Sequence, residues 1–148
     1  MDIIELKEKY AGREFDSKQF EVNPDHTIEW ARACGETDER FLDPSHPDFQ
    51  APPTFTAMFV GGRVLPDEYP RDAFVNMFDA GKCVTSYTPI RPGTPLVGKS
   101  QIADFYQKTG RSGAMLFMVH RMEFFDERGE LVSAVDWRLV QRSRPEEP

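Results

Sequence analysis

The sequence predicts a single α+β domain in which a curved antiparallel sheet wraps around one long buried helix. Three observations carry this prediction. Between Phe55 and Leu65 the apolar residues occupy most sides of a helix rather than one stripe. From Lys82 to Arg142 the pattern becomes alternation of period two, broken by turns. No apolar run approaches the roughly 18 residues of a membrane span, so the apolar stretch must be covered by the protein itself. A sheet that curls around a helix supplies that cover.

In chain order, Glu5-Leu6-Lys7-Glu8-Lys9 reads as the solvated face of a helix. Arg13 to Val22 sets Phe15, Phe20 and Val22 among polar residues, the pattern of a strand with an irregularity. Asn23-Pro24-Asp25 is a helix start, and Ile28, Ala31 and Cys34 with Trp30 and Ala33 keep helical spacing up to Gly35, a C-cap. Glu36 to Gln50 is a polar, proline-bearing loop that feeds the apolar stretch, and such loops commonly carry chemistry. Pro52 and Pro53 hold the approach extended and preset the first helical turn. The helix that follows is about 20 Å long at about 1.5 Å per residue. Gly61-Gly62 costs it roughly 1 kcal/mol per glycine, which close approach of another backbone usually offsets.

Asp67 to Ala80 shows no assignable pattern. Val84 to Ile90 is a strand ending in Arg91-Pro92-Gly93, where proline then glycine suits a type II turn. Leu96 to Tyr106 is the next strand, and Lys108 to Gly113 a turn. Ala114 to Phe125 and Glu130 to Gln141 form a long hairpin closed by Asp126-Glu127-Arg128-Gly129. Residues 1–142 make up the domain and residues 143–148 a frayed tail.

Charge and cysteine usage narrow the partners. The chain of 148 residues carries 18 basic and 25 acidic side chains, a formal charge of −7, which argues against nucleic acid or an anionic membrane as partner. Cys34 and Cys83 lie far apart without metal-ligand spacing and read as reduced core thiols of a cytoplasmic protein. The first ten residues are charged and mixed, with no apolar signal core.

The order of elements, the Ala51-Pro52-Pro53-Thr54-Phe55 segment, the Pro89-Ile90-Arg91-Pro92-Gly93 turn and the closing hairpin resemble the hot-dog fold of the MaoC-like dehydratase family. Within it the chain is most similar to the N-terminal, FAS1-like dehydratase branch, over roughly residues 10 to 142. The resemblance implies hydration of a trans-2-enoyl thioester, or the reverse dehydration of a 3-hydroxyacyl thioester, at a dimer interface. The substrate would be a coenzyme A or acyl-carrier thioester of fatty acid or steroid side-chain metabolism, with no metal or redox cofactor.

Active members of that family carry Gly-Asp, then Asn-Pro, then His and a second Asp in the loop before the helix. The Asp and His hold a water, and a glycine N–H at the helix start polarises the thioester carbonyl. Water needs a base to become a nucleophile, and the enolate-like charge needs a donor. Aligned on Ala33 to Asp43, this pattern puts Glu36 at the catalytic Asp and Phe41 at the catalytic His. Glu36 reaches one methylene further than Asp, and Phe41 has no nitrogen to orient water or move a proton. Pro53 falls where the family has its glycine and offers no N–H. Loss of one such donor costs on the order of 3 kcal/mol in other enzymes.

His46, in Asp43-Pro44-Ser45-His46-Pro47-Asp48, is the residue that could form a shifted acid/base pair with Glu36 or Asp48; otherwise it is an exposed loop histidine. His26 reads as a first-turn helix residue, and His120 as a hydrogen-bonded core histidine. Arg91 is placed to meet a phosphate of the thioester carrier or is simply solvated. Pro53, Thr54, Phe55 and Met58, with Phe41, are the candidate substrate-binding wall, and Phe59, Met115 and Phe117 extend the candidate acyl lining, although core packing explains the apolar members as well. Trp30 and Trp137 are assigned to packing or an interface.

A lone unit of this fold leaves a strand edge uncovered. The sequence is therefore read as a non-catalytic hot-dog subunit that forms the acyl pocket beside a catalytic MaoC-like partner. The alternatives are an active homodimeric (R)-specific hydratase using Glu36 with His46, a hot-dog acyl-CoA thioesterase with Glu36 as base, or a non-enzymatic acyl-CoA-binding module.

Overall fold

The computed structural model describes residues 2–70, 74–111 and 113–143. Five antiparallel strands form one sheet in the order β1-β3-β4-β5-β2, with β1 Glu14–Phe20, β2 Phe74–Ser86, β3 Leu96–Gly110, β4 Gly113–Phe125 and β5 Leu131–Ser143. Among the described residues three α-helices accompany it: α1 Ile3–Tyr10, α2 Pro24–Ala33 and the single turn α3 Glu39–Leu42. Residues 144–148 of the expected tail lie outside the described residues.

The period of two does what it promises in β4. Leu116, Met118, His120, Met122 and Phe124 are buried on one face while the residues between them are only half-buried, so one side of the sheet carries the core. That core has two clusters. One gathers Phe20, Phe55, Ile90 and Phe124, and the other Leu6, Tyr10, Tyr69 and Phe105. Met115 and Phe117 alternate out of this face, and Phe117 stacks on Tyr106 with ring centroids 4.8 Å apart. They do not share a lining with Phe55, because an odd separation along a strand puts a side chain on the opposite face.

Local signals place the helices. Asp2 and Glu5 form a capping box at the start of α1, whose Leu6 and Tyr10, four apart, are buried. This helix is thus half core and not merely a solvated face. Asn23 Oδ1 accepts the N–H groups of Asp25 and His26 at the start of α2, and Gly35 follows its end at φ 76°. Asp126 Oδ1 accepts from Arg128 and Glu130 to close the β4–β5 hairpin.

The central departure from expectation is the helix over Phe55–Leu65. The chain makes one 3₁₀ turn, Phe55–Met58, and Phe59 is already extended at φ −77°, ψ 138°. Residues 59–66 then run as an irregular strap over the sheet. A continued helix would need the N–H groups of Gly62 and Arg63 for the carbonyls of Met58 and Phe59. They go instead to Asp16 Oδ2, at 2.8 and 3.2 Å. The glycine pair tips the balance, since it loses little by leaving the helix and lets the strap lie close to β1. A Cβ on Gly61 would sit 2.8 Å from Asp16 Oδ2.

β2 explains why residues 74–80 resisted assignment; residues 71–73 of that segment lie outside the described residues. Its pairing with β5 slips between Val75 and Met77 and again between Asp79 and Lys82, which erases a simple alternation. Cys34 caps the end of α2 and Cys83 lies on this edge strand, so both thiols are exposed rather than in the core.

Candidate active-site loop

The segment from Glu36 to Thr54 leaves α2, includes α3 and leads into the 3₁₀ turn. Glu36, half-buried, donates its N–H to Ala31 O at 3.0 Å just past the helix end. Asp38 then caps α3 by accepting from Arg40 N at 3.0 Å and pairs with the Arg40 side chain at 2.9 Å. Phe41 points inward and is buried, with the Arg40 guanidinium 5.0 Å from its ring centre.

His46 lies in a tight turn. Its N–H donates to Asp43 O, and its Nδ1 accepts the N–H of Asp48 at 3.0 Å, which leaves the neutral ring its proton on Nε2. Asp43 Oδ1 accepts both the N–H and the hydroxyl of Ser45, and these bonds hold its carboxyl below the usual carboxylate range. Among the described residues no hydrogen bond or ion pair joins Glu36 to His46.

Arg91 fastens this loop to the Pro92-Gly93 turn. Its guanidinium pairs with Asp48 at 2.7 Å and donates to Phe49 O at 3.0 Å, while Gln50 Nε2 donates to the other Asp48 oxygen at 2.9 Å. The Arg91 bond keeps the Asp48 carboxyl below its ordinary range. Next to it Ala51 N donates to Ile90 O. Arg91 is therefore occupied within the chain on at least one nitrogen.

The remaining candidates surround the 3₁₀ turn. Pro53 is exposed, Thr54 Oγ1 accepts from Trp30 Nε1 at 3.1 Å, and Phe55 is buried edge-on to Trp30. Met58 is 42% exposed. The structure thus gathers Phe55 into the core while Pro53, Thr54 and Met58 remain near the surface.

Sequence reasoning placed His120 in the core and missed its surroundings. It is 3% exposed between Phe15 and Trp137, and its Nε2 has no partner among the described residues. The expected hydrogen bond is therefore absent at that nitrogen. Burial lowers its pKa to about 4, against a bond to its own backbone that acts the other way. Lys82 Nζ donates to Ala57 O at 2.7 Å and lies 4.8 Å from the Trp137 ring centre. The inward alternation of β4 was the only signal for this group; its neighbours come from strands distant in sequence. Among the described residues no three His, Cys, Asp or Glu side chains gather as metal ligands.

The antiparallel sheet with short helices on its apolar face has the fold of the hot-dog dehydratases, with the long central helix reduced to the 3₁₀ turn and the strap. The chain belongs to the FAS1-like dehydratase domain family, whose model matches residues 9–135. Solved structures agree on the fold. The 3R-hydroxyacyl-ACP dehydratase complex HadBC of Mycobacterium tuberculosis superposes with a TM-score of 0.67 at 20% identity, covering 95% of this chain and 98% of that one. The ChsH1-ChsH2 complex of the same organism gives 0.67 at 18%, over 99% and 92%. The MaoC-like dehydratase of Rhodospirillum rubrum gives 0.60 at 21%, over 95% and 97%. No curated relative matches the chain. Among the described residues no helix is long and apolar enough to cross a membrane.

Proposed function

We propose that this chain is the non-catalytic subunit of an enoyl-thioester hydratase or 3-hydroxyacyl-thioester dehydratase, shaping the acyl pocket beside a catalytic hot-dog partner. The observation that carries the reading is Phe41. At the position where active relatives need an imidazole, a phenyl ring is buried in α3, and the nearest loop histidine spends its Nδ1 on the backbone of Asp48. Without a base beside Glu36 and with proline at position 53, neither water activation nor carbonyl polarisation is provided for.

Two further features support a heteromeric partner. β1 and β2 are the sheet edges, and β2 exposes Met77 and Phe78, the latter 49% accessible. Solved complexes of similar fold contain two differently named chains, as in ChsH1-ChsH2. A coenzyme A or acyl-carrier thioester is the substrate class in this reading, and the hydration itself calls for no metal or redox cofactor.

The test is co-purification from the native host, followed by a hydration assay with and without the captured subunit. Turnover that needs both chains, with the Asp and His of the mate essential, supports the proposal. A mate without hot-dog fold, or no gain in turnover on recombination, contradicts it.

A further inference from the structure

Lys82, Trp137 and His120 stand in one row across the sheet. Lys82 of β2 is paired with Trp137 of β5, and Trp137 with His120 of β4, so the three side chains leave the same, inner face. The Lys82 ammonium lies 4.8 Å from the Trp137 ring centre, and the His120 ring packs edge-on to the same indole with 6.2 Å between ring centres. Beneath the strap these residues line a cavity of about 10 Å³, whose other walls include Phe59, Val64, Met122 and Val135. That is the space of one water-sized molecule.

The polar atoms at this cavity leave complementary bonds open. His120 is 3% exposed, and its Nε2 has no partner among the described residues. The ring also bonds to its own backbone, which only Nδ1 can reach, as a donor to the carbonyl. The neutral ring therefore carries its proton on Nδ1, and Nε2 presents a lone pair in want of a donor. Lys82 Nζ donates to Ala57 O at 2.7 Å, and among the described residues its remaining N–H groups have no hydrogen-bond acceptor.

A molecule seated here must accept from an ammonium and donate to an imidazole lone pair. Chloride can do only the first and is repelled by the lone pair. A metal ion is repelled by the ammonium. Water does both, and buried polar atoms that lack a protein partner are the usual ligands of internal water.

We propose that this cavity is a binding site for a single water molecule, which accepts from Lys82 Nζ and donates to His120 Nε2 and so ties β2 to β4 beneath the strap. The site stands whether or not the chain binds a thioester.

The direct test is a crystal structure of the full chain at a resolution that shows ordered water. One solvent peak at about 2.7–3.2 Å from both nitrogens is expected. A cavity without density, a peak in reach of only one of the two atoms, anomalous scattering that marks the peak as chloride, or a protein donor on His120 Nε2 overturns the site.

Oxygen-17 relaxation dispersion supplies a second measurement in solution, since it counts long-lived internal water. His120→Phe removes the acceptor. Lys82→Met removes the donor while keeping an apolar stem on Trp137. Each variant, with its circular dichroism spectrum unchanged, is expected to hold about one long-lived water fewer than the parent chain. An undiminished count in either folded variant overturns the site. Where one variant does not fold, the other variant and the crystal structure of the parent chain decide.

Discussion

The carboxylate of Asp16 accepts the N–H of Gly62 at 2.8 Å, joining the bulge of β1 to a strap 46 residues further along the chain. This bond and its neighbour from Arg63 decide that the apolar stretch ends in a strap and not a helix. Asp16→Ala leaves two backbone donors without their acceptor, and it is expected to lower stability by about 1–2 kcal/mol. Asp16→Asn keeps one oxygen acceptor and should lose less. Urea unfolding at neutral pH, read as the shift in midpoint at constant slope, checks both.

His120 makes stability depend on pH in a defined window. The unfolded ring takes a proton near its ordinary 6.5, whereas burial delays protonation of the native ring to about 4. The unfolded state therefore binds more protons between those values, so stability is full above about pH 6.5 and falls as pH drops towards 4. The loss reaches up to about 3 kcal/mol from this group alone. His120→Phe should flatten the pH dependence of the unfolding midpoint across that window, and an unchanged slope would count against a buried neutral ring.

Gly98 is the tightest glycine in the sheet. A Cβ there would meet Phe20 at 2.7 Å, Met122 Sδ at 2.9 Å and Phe124 at 3.1 Å. Gly98→Ala is expected to destabilise by about 1–3 kcal/mol through overpacking. The conservative relief is Met122→Ala in the same chain, and the double variant should lose less than the sum of the two single changes.

The buried hydroxyls of Thr56 and Ser133 are 2.8 Å apart, both at zero exposure, and tie the 3₁₀ turn to β5. Thr56→Val leaves the Ser133 hydroxyl unpaired, at a cost of about 1–3 kcal/mol. Adding Ser133→Ala should recover part of that loss. Thermal unfolding of the two single variants and the double variant measures the coupling.

Much of the fold was legible in the sequence where one rule acts alone. β4 and β5 follow from alternation and from an Asp-to-Gly hairpin, and α2 from Asn23, Pro24 and Gly35 at its ends. Legibility failed where a distant group outbid the local pattern. The run from Phe55 to Leu65 has helical composition, but only the folded chain brings the Asp16 carboxylate to its N–H groups. In β2 the two register slips hide a strand that its pairing with β5 makes plain.

The candidate site divides in the same manner. The resemblance to the MaoC-like dehydratase signature put Phe41 and Pro53 at reacting positions, and Phe41 is buried while Pro53 lies near the surface by the 3₁₀ turn. The engagement of Arg91 with Asp48 and Phe49, and the isolation of His120, depend on strands and turns that meet only in three dimensions.

The functional reading turns on whether this chain alone can activate water. The most direct measurement is the rate of hydration of crotonyl-CoA by the purified chain alone. The account predicts no rate above that of buffer, unchanged by Glu36→Ala or His46→Ala. Sustained turnover that either substitution abolishes would contradict it.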